Sequence, residues 1–112
     1  MIARTPEPPY VAVIFSSRRT PGDNGYGAMS DRMAELVAQQ PGFLGVESAR
    51  GEDGFGITVS YWKDEASARA WKQVGEHLKA QALGRSQWYE AFEARIATVT
   101  RAYGMDPHSE KA

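Results

Sequence analysis

The chain has 112 residues, 42% hydrophobic and 24% charged, a balance that suits one compact domain and excludes wholesale disorder. Its 13 basic and 14 acidic side chains nearly cancel, which leaves no electrostatic footprint for nucleic acid or an anionic membrane surface. There is no cysteine, so disulfides, a thiol nucleophile and thiolate metal sites are excluded.

Residues 1–9 hold Pro6, Pro8 and Pro9, which withhold amide donors and favour an extended tail. No apolar stretch follows Arg4, so this segment does not read as a secretion signal. No run in the chain nears the ~20 apolar residues that cross a bilayer, and the expected address is the cytoplasm. From Tyr10, YVAVIFSS predicts a strand. Both its faces are apolar, Tyr10, Ala12 and Ile14 on one and Val11, Val13 and Phe15 on the other, so both should be covered. Turn chemistry fills Thr20 to Gly27, and Met29, Met33, Leu36 and Val37 then recur at helical spacing. That helix begins between Tyr26 and Ser30, and Pro41-Gly42 ends it.

FLGVESARG and FGITVSYW flank Glu52-Asp53-Gly54 and predict a hairpin. Asp64 caps a second helix whose apolar stripe reads Ala66, Ala70, Trp71, Val74 and Leu78. Gly75 costs that helix ~1 kcal/mol relative to Ala and marks the place for a kink or break. Trp88 to Tyr103 allows a helix over its first half, but the β-branched run IATVT argues for one long strand. Glu93, Arg95 and Arg101 share a face of it, as a charge network across a dimer would. After Gly104, the segment MDPHSEKA has no core residues and is expected to be mobile.

The order β-α-β-β-α-β predicts an α+β, ferredoxin-like sandwich over residues 10–103, a four-stranded antiparallel sheet with both helices on one face. The other sheet face is apolar and unroofed, and a second copy packed on it predicts a homodimer.

The segments QPGFLGVES before the hairpin, SYWKDE after the third strand, Trp71, His77 and GRSQWY before the last strand resemble the antibiotic biosynthesis monooxygenase family. That resemblance spans residues 10–103 and implies a dimeric α+β barrel. It also implies a monooxygenase, either a cofactor-independent one acting on a small electron-rich aromatic such as a phenol, quinol or polyketide-like compound, or a haem-degrading one. A non-catalytic module binding a small hydrophobic molecule is a further alternative. The haem branch carries an Asn on the first strand, a Trp in the second helix and an axial His ten residues later. Trp71 matches, but the other two positions fall near Phe15 and on Gln81, so haem is the weaker implication. No dinucleotide fingerprint, P-loop or pair of His at ligand spacing is present, and no cofactor is expected.

His77 is the one histidine inside the fold, and an imidazole titrating near neutrality suits a base for a phenolic proton. Trp71 and Trp62 are expected to wall an aromatic pocket, with Tyr26 donating its hydroxyl from a loop after a glycine. Arg85 stands in a turn where it would hold an anionic substrate, and Gln81 and Phe15 complete the expected substrate-binding set. Each has a plain structural alternative: core for the tryptophans, a solvated arginine, and a surface histidine. Trp88 and Tyr89 read as interface or core.

Overall fold

The computed structural model describes residues 2–81 and 88–105, the side chains of 78–81 excepted. Six elements follow in order: β1 (Tyr10–Arg19), α1 (Tyr26–Val37), β2 (Phe43–Arg50), β3 (Phe55–Trp62), α2 (Glu65–Gln81) and β4 (Tyr89–Val99). They form the ferredoxin-like sandwich, with the strands in the order β2-β3-β1-β4 and every pairing antiparallel. Arg85 and the segment from Asp106 onward lie outside the described residues.

Register fixes which side chains meet the helices. Val11, Val13 and Phe15 of β1 stand opposite Trp62, Ser60 and Thr58 of β3, and opposite Thr98, Ile96 and Ala94 of β4. The other face carries Tyr10, Ala12 and Ile14 with Tyr61, Val59 and Ile57. Side chains alternate across a strand, so both apolar faces of β1 acquire distinct roles.

The N-terminal segment packs on part of that second face. The Ala3 amide donates to Glu47 Oε2 at 3.0 Å, and the Thr5 hydroxyl donates to the Tyr10 hydroxyl at 2.9 Å. Tyr61 in turn donates to Glu47 Oε1 at 2.6 Å. The carboxylate is thereby held below its ordinary pKa, chiefly by Tyr61 and then by the Ala3 amide. Burial first, and Glu47 second, push the Tyr61 phenol up to about 12. Beyond the segment's reach the face is uncovered, and Phe55 and Ile57 remain 43% and 40% exposed.

Two glycines are required by geometry. Gly54 closes the β2–β3 turn at φ +89, where a Cβ would stand 3.2 Å from the Arg19 carbonyl oxygen. Gly42, at φ +82, would carry its Cβ into Ser67 at the start of α2.

α1 starts at Tyr26, within the expected span, with Gly25 as its N-cap, and the Asp23 carboxylate accepts from the Gly25 and Gly27 amides, both at 3.0 Å. Two expectations about α2 need correction. α2 runs through Gly75 without interruption, and its inward residues are Ala68, Trp71 and Gly75. Ala66 and Ala70 are exposed, because small alanines satisfy an apolar pattern on either side of a helix. The closed core is small: Val11, Val37, Trp62 and Ala68, with Val13, Phe43 and Trp71 packed around it.

Candidate functional site

Space left between the helix layer and the sheet forms an open cavity of about 780 Å³, within the roughly 300–1,000 Å³ typical of small-molecule pockets. Its floor combines Val13 and Phe15 of β1 with three hydroxyl side chains, Ser48, Thr58 and Ser60. The Ser48 and Thr58 hydroxyls lie 2.8 Å apart, and Ser60 accepts from Trp62 Nε1 at 2.9 Å. Met29 and Met33 of α1 and Ala68, Trp71 and Gly75 of α2 form the roof. Gly75 brings the helices close, since a Cβ there would stand 3.2 Å from Met33 Cε.

Charged residues of α2 line part of the cavity in exposed pairs, Arg69 with Glu65 at 3.6 Å and Lys72 with Glu76 at 3.9 Å. Along β4, Phe92 and Ile96 also line it and are 53% and 55% exposed, so that side is open.

The two ends differ in chemistry. At one, Trp71 stacks on the fully buried Trp62 at 6.3 Å between ring centroids, and Phe43 meets Trp62 edge-on at 5.5 Å. At the other, Phe15, Tyr26, Trp88, Tyr89 and Phe92 form an aromatic cluster in which neighbouring rings lie 5.3–6.2 Å apart. Here the backbone does the positioning. Trp88 Nε1 donates to the Asn24 carbonyl at 2.9 Å, and the Thr20 amide donates to the Trp88 carbonyl at 3.0 Å. Arg19 donates from Nε to that same carbonyl and from Nη2 to those of Gly22 and Asp23, and its guanidinium carbon lies 3.6 Å from the Tyr26 ring centroid. Burial, then a hydrogen bond with Tyr26, pushes the Tyr89 phenol well above its ordinary range, while the charges of Arg50 and Arg19 act in the opposite sense.

Of the residues singled out from sequence, the cavity brings together Phe15, Tyr26 and Trp71. Trp62 serves from behind, closing the space by supporting Trp71. His77 does not join them. It follows Ala68 by nine residues, about two and a half turns, and therefore points to the opposite, exposed side of α2. The side chain of Gln81 and all of Arg85 lie outside the described residues. Tyr89, Met29, Met33 and the hydroxyl floor were missed. The signal for the floor was present: Thr58 and Ser60 alternate with apolar residues in β3 yet share the face of Trp62.

Among the described residues no group of three or more His, Cys, Asp or Glu is placed to hold a metal ion. The described lining residues include no imidazole, and Phe15 offers no hydrogen bond to a bound group. Among the described lining residues the donor set does not suit haem ligation. Among the described residues no helix is long and apolar enough to cross a membrane.

The family model described as antibiotic biosynthesis monooxygenase matches residues 10–83. An uncharacterized protein, YqjZ of Bacillus subtilis (strain 168), is 53% identical over 100 residues, which cover 89% of this chain and 88% of that protein. Jasmonate monooxygenase ABM of Pyricularia oryzae is 30% identical over 94 residues, 80% of this chain but 43% of that longer protein. Among solved structures, SnoaB, a cofactor-independent oxygenase from Streptomyces nogalater, is similar at a TM-score of 0.68 and 20% identity, over 85% of this chain and 97% of its own. PA3566 from Pseudomonas aeruginosa follows at 0.64 and 14%, over 87% and 98%. At such identities the solved structures speak for the fold alone.

Proposed function

The chain belongs to the antibiotic biosynthesis monooxygenase family, and from that premise we propose that its cavity takes a small electron-rich aromatic and oxygenates it without a cofactor. The observation that carries this reading is the cavity itself, with aromatic walls at both ends and hydroxyl groups across its floor. Trp71, Phe15 and Tyr26 supply the walls, with Trp62 as support.

In such a reaction the substrate loses a proton from an acidic ring position, and its anion passes one electron to dioxygen. The two radicals join, forming a carbon–oxygen bond. Loss of water from the resulting hydroperoxide leaves a carbonyl, so a CH2 centre and O2 become a C=O and H2O. The protein's part is to hold the anion, exclude bulk water and orient the reacting carbon. Two similar proteins, a cofactor-independent oxygenase and a jasmonate monooxygenase, support the reaction class.

Oxygen uptake with a panel of phenols, quinols and anthrone-like compounds tests it, with labelled dioxygen to follow one atom into product. Neither uptake nor binding with any of them would leave only a non-catalytic module.

A second copy of this chain is the occupant we assign to the uncovered sheet face around Phe55, Ile57 and Ile14. At ~25 cal/mol per Å² of apolar surface removed from water, a patch of a few hundred Å² per subunit favours association. Light scattering at micromolar concentration decides it, and a monomer there ends the assignment.

A further inference from the structure

We propose that the Tyr26–Tyr89 hydroxyl pair is an oxyanion subsite that takes the single acidic oxygen of an enol or phenol, with Arg19 and Arg50 placing positive charge behind it. This deepens the reading above, resting on its cavity but not on its oxygen chemistry.

Both tyrosines line the cavity, and their rings meet edge to face at 5.9 Å. Burial first, and a hydrogen bond with the Tyr26 hydroxyl second, oppose ionisation of Tyr89, so Tyr89 keeps its proton and remains a donor. A hydroxyl hydrogen rotates to suit an incoming acceptor. A ligand oxygen arriving beside the pair is therefore offered an O–H without rearrangement of the fold.

The positive charge is built in by the sheet. Arg19 lies over the Tyr26 ring at 3.6 Å. Arg50 crosses Gly56, where a Cβ would stand 2.8 Å from its guanidinium carbon, and donates from Nη2 to the buried Ser17 hydroxyl at 2.8 Å and from Nη1 to the Ser17 carbonyl at 3.2 Å. Both guanidiniums already engage carbonyl or hydroxyl oxygens: Nε and Nη2 of Arg19, Nη1 and Nη2 of Arg50. A carboxylate or phosphate would seek a bidentate fork, and those edges are occupied. What remains on the cavity side is the Arg19 guanidinium against the Tyr26 ring with hydroxyl donors in front of it, which suits one oxygen whose charge is delocalised into a ring. Glu52, Asp53 and Glu90 share a separate shallow recess with both arginines. The carboxylates that line the cavity, Glu65 and Glu76, belong to α2 and face Arg69 and Lys72.

The probes are naphthol, methoxynaphthalene and naphthoate, titrated into the full-length protein, with the absorption spectrum of bound naphthol followed as pH is raised. The expected result is naphthol bound about tenfold tighter than its ether, as one hydrogen bond allows, and ionised at a lower pH than in water. Tyr89→Phe and Tyr26→Phe should each erase both effects and leave the ether's affinity within about twofold, because the ring walls persist. If Tyr26→Phe fails to fold, Tyr89→Phe decides alone. Equal affinity for naphthol and ether, an unchanged ionisation in the Phe variants, tightest binding of naphthoate, or no binding of any probe would each overturn the subsite. Failure of the two readings separates cleanly. Anchored naphthol with no oxygen uptake removes the oxygenase and keeps the subsite, whereas undiminished uptake in both Phe variants does the reverse.

Discussion

At one end of the space between helices and sheet, Trp62 is completely buried, stacked on Trp71, met by Phe43 and hydrogen-bonded to Ser60. At the other end, Trp88 is nearly as buried at 3% exposure, yet its neighbours are the Tyr26 ring, the Arg19 guanidinium on its carbonyl and the Asn24 carbonyl of a loop. Apolar surface closes the first end; oriented polar groups frame the second. On the proposed reading, stability rests mainly on the Trp62 end and ligand chemistry mainly on the Tyr89 end, and that division can be attacked directly.

The largest effect should come from Trp62→Ala, which empties the closed core and costs about 3–5 kcal/mol, a large part of the roughly 5–15 kcal/mol that holds a domain together. Tyr89→Phe should cost within about 1 kcal/mol. Denaturant midpoints compare the two, and equal losses would break the division. Gly42→Ala comes next, at about 2 kcal/mol, because the turn before β2 needs φ +82 and its Cβ would overlap Ser67. Urea unfolding reads this, and a silent substitution would show that the start of α2 yields freely.

A smaller effect belongs to the opposite sheet face. Glu47 is held below its ordinary pKa in the folded chain, so its contribution is present above the unfolded carboxylate's pKa and is lost as pH falls through the folded value. Tyr61 is raised to about 12, so its contribution holds below the unfolded phenol's pKa and disappears as pH rises through about 12. Glu47→Gln should flatten the acid limb of a stability–pH curve by less than about 1 kcal/mol, since solvent screens the carboxylate. Tyr61→Phe should do the same to the alkaline limb. The smallest expected effect is that of His77→Ala. An exposed side chain facing away from the cavity should leave ligand binding and oxygen uptake within about twofold, and a tenfold loss would return His77 to the site.

Much of the fold was legible in local pattern. The strand faces, the Glu52-Asp53-Gly54 hairpin and the long last strand could be read because strand and helix periods are local properties of the chain. The α2 stripe was misread because Ala66 and Ala70 fit either side of a helix, and His77 was singled out for its chemistry rather than for its place on the helix. Tyr26 and Trp71 were singled out, and both line the cavity, Tyr26 from the first residue of α1 rather than from a loop. Tyr89 was not, because its surroundings come from β1, β2 and a loop more than sixty residues earlier in the chain than Trp88.

Element order and the apolar character of both sheet faces follow from side chains only a few residues apart, so the chain's local pattern carries them. The open space under the helices, the hydroxyls that floor it and the meeting of Tyr26, Tyr89 and Arg19 arise only when the layers come together. Residues that line a cavity carry the same apolar pattern as residues that fill a core. The difference is a volume, and a volume exists only once the layers are set at their distance.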